Sequence, residues 1–238
     1  MRLIDLDGPG PLLDAVHRDV LSPSFPPAEL EPLDSLRAEV AEGRTVVSAV
    51  LDAGKRPVAA AVGHWSPQAR VQLLSHLAVL SSQRGTGVGR QLLGHVLDDW
   101  RVSHRPCLIL AEVEHPEAHG GSDAHGDPLA RLRFYARFGA MALDLPYFQP
   151  ALAPGGERMF GMLLLVLHID PELMGEGAGT VSAVPLRAFM IEYLAHTEGT
   201  RPESDPSTVA LFGAIDQPGG VPVLPVDDPK RLPVSTPG

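Results

Sequence analysis

Apolar residues recur at helical spacing in "PLLDAVHRDVL" (11–21), where Leu12, Leu13, Val16, Val20 and Leu21 follow an opening proline. A turn-rich link leads to "LDSLRAEVAEG", a second helical pattern that Gly43 stops. The pattern then changes. "RTVVSAVLD" and "RPVAAAVGHWS" are strand-like runs joined by "AGK", which predicts a hairpin. "VQLLSHLAVLSS" (71–82) is apolar enough for a central strand. "GVGRQLLGHVLDDWRVSH" returns to helical spacing, with Val88, Leu92, Leu93, Val96, Leu97 and Trp100 along one face. "PCLILAEVE" (106–114) predicts a further strand, and a polar loop, "HPEAHGGSDAHG", follows it. Asp127 as N-cap and Pro128 in the first turn open the helix "PLARLRFYARF", which Gly139 closes. "AMALD" and "ERMFGMLLLVLHI" supply the last strands, and "PLRAFMIEYLAHT" (185–197) an extra helix. Beyond Thr200 the chain is Pro-rich, with one weak strand signal in "GGVPVLPV". This order of elements predicts an α/β sandwich around one mixed sheet.

Length and composition narrow the class. The 238 residues suit one domain of ordinary size with an appendage, and 44% apolar with 20% charged residues is a soluble globular composition. Prolines crowd into 9–32 and 201–237, which predicts those stretches to be the least compact. A net charge of −10 with no basic run argues against nucleic acid and favours a cationic partner or substrate. One cysteine, Cys107, excludes a disulfide framework within the chain and suits a reducing cytosol. The start lacks the apolar core of a signal peptide, and the longest apolar run, "MFGMLLLVLHI", is too short to cross a bilayer, so the expectation is a cytoplasmic protein without a membrane partner.

The chemistry concentrates in "SSQRGTGVGRQLL" (81–93), three glycines at alternate positions between Arg84 and Arg90. Strand, glycine turn and helix together present backbone N–H groups and a positive helix end to an anion. A P-loop requires Lys-Ser/Thr after its last glycine, whereas Arg90 and Gln91 follow Gly89. A dinucleotide fingerprint fails too, since the sixth position is Arg90 counted from Gly85 and Leu92 counted from Gly87. A plain tight turn into a helix would also account for the glycines.

Leu77, Val79, Arg84, Gly85, Gly87, Val88 and Gly89 stand in a run that resembles the acetyl-CoA signature of the GNAT superfamily of N-acetyltransferases, L-x-V followed by R-G-x-G-[IV]-G. Downstream, "RFYARFGA" (133–140) is similar to that family's second motif, an aromatic-Tyr helix closed by glycine. The resemblance covers about residues 1–170 and leaves 171–238 as an extension of one helix plus a Pro-rich tail. It implies a mixed, mostly antiparallel central sheet with splayed middle strands and helices on both faces. It further implies acetyl-CoA as co-substrate and direct attack of an amine on the thioester.

On that resemblance, the N–H groups of Arg84, Gly85, Thr86, Gly87, Val88 and Gly89 would hold the pyrophosphate, with Arg84 and Arg90 adding charge. The backbone of Leu77, Ala78 and Val79 would pair with the pantetheine arm, and an N–H near Val79 could polarise the thioester carbonyl. Tyr135 would protonate the departing thiolate; a packed core tyrosine is the other reading. Glu112 and Glu114 lie two apart on a strand and so share a face. Close together, they would raise one pKa and attract an ammonium group, with Glu112 the better base, directly or through a water. Tyr147, Phe148 and Gln149 could line the acceptor pocket, and a packed turn is the alternative.

His115, His119 and His125, with Asp123 and Asp127, match no zinc spacing, so no metal is expected there and the loop reads as a lid over the acceptor groove. Cys107 reads as a buried inert thiol, against a route through a covalent cysteine intermediate. The net charge suggests a cationic amine as acceptor, such as a polyamine, an aminoglycoside-like molecule or a lysine side chain, and does not choose among them. Two rivals stay open, a non-catalytic acyl-CoA sensor and an interaction protein built on the C-terminal helix and tail. The Pro-rich ends could also bridge two copies in a homodimer.

Overall fold

The computed structural model describes residues 1–105, 107–121, 126–152, 155–199 and 205–237. They form two compact units, Met1–Trp65 with Gln72–His104, and Ser66–Val71 with Arg105–Gly238.

In the first unit, β1 (Arg2–Asp5), β2 (Thr45–Leu51), β3 (Pro57–Ser66) and β4 (Val71–Val79) lie side by side in that order. β1 and β2 pair antiparallel with Arg2 opposite Leu51, and β2 and β3 form the expected hairpin with Thr45 opposite His64. Nearly all of β2 and β3 is buried, which is why these strands read as continuous apolar runs without alternation. The helical pattern at 11–21 divides into α1 (Pro11–Val16) and a π-helical turn, closed by the Ser22 N–H donating to His17 O at 2.9 Å. With α2 (Leu33–Ala41) these segments bury Leu13, Val16, Val20, Leu21, Leu36 and Val40 against Val47, Ala49, Ala60 and Val62. α3 (Val88–Ser103) buries all six residues of its apolar stripe. Gly63 lets β3 approach it closely, since a Cβ there would stand 2.4 Å from Gln72 Nε2 and 2.5 Å from Trp100 Cζ2.

In the second unit the order is β5 (Leu108–Glu114), β7 (Met162–Ile169), β6 (Met141–Leu143), β9 (Val221–Pro225) and β8 (Thr180–Val181), every pair antiparallel. α4 (Pro128–Ala136) packs on β5, and α5 (Ala183–Glu198) packs against α6 (Pro206–Ile215). The Asp127 carboxylate accepts the Leu129 N–H at 3.0 Å, so the expected N-cap forms.

The chain after Asp170 departs most from its reading as one helix and a loose tail. α6 follows a second Asp-Pro start, where the Asp205 carboxylate accepts the Thr208 N–H at 2.8 Å, and it buries Leu211, Phe212 and Ile215. The weak strand signal becomes β9, hydrogen-bonded to β6. β1, β8 and α6 are elements that the pattern did not predict: two are short strands without room for a period to repeat, and the third hides among prolines. The run at 71–82 ends as a strand at Val79 and continues as a tight turn, and β5 starts at Leu108. Among the described residues, no helix is long and apolar enough to cross a membrane.

Candidate active site

In the first unit the site is backbone. After β4 the chain makes a single turn at Ser81–Gln83, extends through Arg84, and passes Gly85 at φ 78° and Gly87 at φ 89°. Those positive angles require glycine, because a Cβ would crowd the carbonyl; free space around both positions shows that packing does not. Gly87 is the N-cap of α3 and supplies no side-chain cap. The first intrahelical bond runs from the Gln91 N–H to Gly87 O at 3.0 Å, so the N–H groups of Val88, Gly89 and Arg90 precede the helical ladder and face outward. The buried Val88 side chain anchors this end, while Arg84 and Arg90 are exposed beside it. Thr86 Oγ1 donates to Gln83 O at 2.7 Å and the Thr86 N–H reaches the same carbonyl at 3.4 Å, so this residue shapes the turn. Bare backbone, a positive helix end and two guanidinium groups fit a pyrophosphate.

β4 offers a second feature. The Leu80 N–H donates to Val58 O at 3.0 Å, toward β3. Alternation along the strand then turns the Val79 N–H to the opposite edge. Leu77 and Val79 are half-buried around the buried Ala78, and the Arg84 Nε–H reaches back to Val79 O at 3.4 Å.

In the second unit the site is made of side chains. Glu112 and Glu114 sit on β5 opposite Leu164 and Met162. Each has its own partner, which corrects the picture of two coupled carboxylates. Glu114 Oε2 accepts from Arg131 at 2.7 Å and so fastens α4 to β5. Glu112 accepts from two phenols: Tyr147, which is wholly buried, donates to Oε1, and Tyr193 on α5 stands 3.4 and 3.3 Å from Oε1 and Oε2. Burial, then the adjacent Glu112 charge, pushes the Tyr147 phenol well above its usual range, so it stays a donor. Tyr147 therefore holds Glu112 from beneath instead of lining an open pocket. Phe148 is wholly buried, and the backbone of Gln149 is bridged to Met159. Ser235 near the C-terminus donates to Tyr147 O. Tyr193 was missed because a tyrosine inside a helical pattern carries no sign of the strand it will meet.

Tyr135 on α4 is 5% exposed, and burial pushes its pKa up to about 12 against an opposing pull from Arg131. It is a phenol that keeps its proton at neutral pH. His115 and His119 are used structurally: His115 Nδ1 accepts the Glu117 N–H at 3.0 Å, and His119 Nε2 donates to Phe160 O at 2.8 Å. Asp123 and His125 lie outside the described residues. A cleft of about 670 Å³ elsewhere in this unit is lined by Arg158, Glu198 and Asp205 among others, and includes none of Glu112, Tyr135, Tyr147 and Tyr193. Arg158 there lies 2.7 Å from Glu198 and 2.5 Å from Asp205.

Residues 13–119 match the model of the Acetyltransferase (GNAT) family. A protein of Bacteroides thetaiotaomicron assigned to the same family superposes with a TM-score of 0.59 at 20% identity, over 84% of this chain and all of that one. The ribosomal-protein-S18-alanine N-acetyltransferase of Escherichia coli gives 0.47 at 18% identity, over 71% of this chain and 95% of that one. No curated protein matches the chain.

Proposed function

We propose that the chain, whose residues 13–119 match the model of the Acetyltransferase (GNAT) family, is an acetyl-CoA-dependent N-acyltransferase acting on a cationic amine. Bound acetyl-CoA supplies an acetyl group activated as a thioester. The N–H groups around Gly85–Arg90, with Arg84, would hold its pyrophosphate, and the Leu77–Val79 backbone would receive the pantetheine arm. The observation that carries the catalytic reading is Glu112 with two phenolic donors. Held by these donors, Glu112 is placed to draw an ammonium group and take its proton through a water. The net charge of −10 acts in the same direction. Tyr135 keeps its proton and so has the chemistry that a departing thiolate requires.

The test is calorimetric titration of acetyl-CoA into the wild type and Arg84→Glu, followed by a thiol-release assay against an amine library with Glu112→Gln as control. Micromolar binding, about −8 kcal/mol, that weakens at least tenfold in Arg84→Glu is expected, with turnover of a cationic amine that Glu112→Gln suppresses. Binding without turnover of any amine would favour an acyl-CoA sensor. Absence of binding by the wild type would overturn the reading.

A further inference from the structure

Cys107 immediately precedes β5 and Asp170 immediately follows β7. The register places them face to face: Leu108 pairs with Ile169 and Ile109 with His168, and the Asp170 N–H donates to Cys107 O at 3.1 Å. His168 lies two residues before Asp170 and so projects from the same face of the sheet. A thiol, an imidazole and a carboxylate are thereby brought together from positions 61 to 63 residues apart, and Sγ, an imidazole nitrogen and a carboxylate oxygen all lie within 4.8 Å of one another.

We propose that Cys107, His168 and Asp170 form a binding site for a divalent transition-metal ion, Zn²⁺ in preference to Mg²⁺ or Ca²⁺. His168 Nε2 stands 3.5 Å from Asp170 Oδ1. Two ligands each about 2.0–2.1 Å from a tetrahedral zinc stand about 3.3 Å apart, so this pair needs almost no movement. Asp170 is also aimed in advance: its Oδ2 accepts the Cys107 N–H at 2.8 Å, which leaves Oδ1 directed to the imidazole, the kind of outer hydrogen bond that orients a metal-binding carboxylate. Cys107 is wholly buried, while the His168 and Asp170 side chains are 21% and 14% exposed. The ion enters from the imidazole–carboxylate side, and water completes its fourth position there. Thiolate and carboxylate balance the dication, so the filled site buries no net charge. The thiol proton is released on binding, one per ion, while His168 binds as neutral imidazole. A thiolate in the set is what excludes the hard oxygen-seeking cations. The ion would pin the start of β5 to the end of β7, a structural role that rests on no part of the acyltransfer reading.

The full chain, stripped with chelator, is titrated with Co²⁺ and then Zn²⁺. One equivalent of Co²⁺ producing thiolate-to-cobalt charge-transfer absorption is expected, with displacement by Zn²⁺ and no response to Mg²⁺. Because the chain has a single cysteine, that absorption can only report Cys107. It should vanish in Cys107→Ser, and affinity should fall at least tenfold in His168→Gln. Asp170→Asn keeps an acceptor for the Cys107 N–H, so it should fold normally while binding more weakly, which separates loss of a ligand from loss of structure. A wild type without charge-transfer absorption, or affinity unchanged in both His168→Gln and Asp170→Asn, overturns the proposal.

Discussion

The bond between Tyr147 and Glu112 can be tested by a double-mutant cycle. Tyr147 has no exposed surface, so its hydroxyl cannot turn to bulk water when Glu112 is removed. A buried hydroxyl left without its partner costs about 1–3 kcal/mol, and a hydrogen bond to a charged group contributes about 1.5–3 kcal/mol. Glu112→Ala should therefore destabilise by about 2 kcal/mol. Tyr147→Phe should cost about 1.5 kcal/mol, because Glu112 is half-buried and keeps Tyr193 and some solvent. With both groups gone no orphan remains, so the double variant should cost well below the sum and give a coupling of about 1–2 kcal/mol. Thermal melts of the four proteins would show single-variant drops of about 2–4 °C per kcal/mol. The same four proteins assayed for thiol release separate stability from chemistry: Tyr147→Phe should keep measurable turnover, whereas Glu112→Ala should not. Additive stability losses would refute the argument, since they would mean that the two groups do not depend on each other in the fold.

Other predictions concern different parts of the chain. Gly87→Ala should destabilise by about 1–2 kcal/mol through backbone strain alone, given φ 89° and open space around the new Cβ. Gly94→Ala, in the interior of α3 with equally open space, should stabilise by about 0.5–1 kcal/mol; melts that rank the two the other way would refute the assignment of strain. Tyr193→Phe should leave acetyl-CoA affinity unchanged and shift the pH profile of turnover, a change that simple loss of packing would not produce. Burial lowers the pKa of His76, whose Nε2–H donates to Glu29 O at 2.9 Å, and likewise lowers that of His115. The unfolded chain then binds more protons than the native one below about pH 6.5. Stability from these groups is complete above that pH and is lost as pH falls. His76→Gln, which retains an N–H donor, should flatten the drop in melting temperature between pH 7 and pH 5, and an unchanged slope would count against the buried neutral imidazole.

What the sequence determined by itself is local. The glycine turn was legible because a positive φ at two nearby positions can be met at low cost only by glycine, and because the strand before it and the helix after it declare themselves by their own periods. The same holds for the Asp127 cap and for the stripe of α3, whose six apolar residues are all buried. Only the tertiary structure decided what the carboxylates on β5 would meet. Glu112 and Glu114 looked equivalent, two residues apart on one face, yet one is held by phenols from 35 and 81 residues away and the other by an arginine 17 residues away. The same limit hid the buried helix α6 and the partners of Cys107. Secondary structure repeats its signal every two or four residues, whereas a long-range contact leaves none. It forms where burial, strand register and the pairing of buried polar groups are satisfied at once, and those conditions exist only in the folded chain.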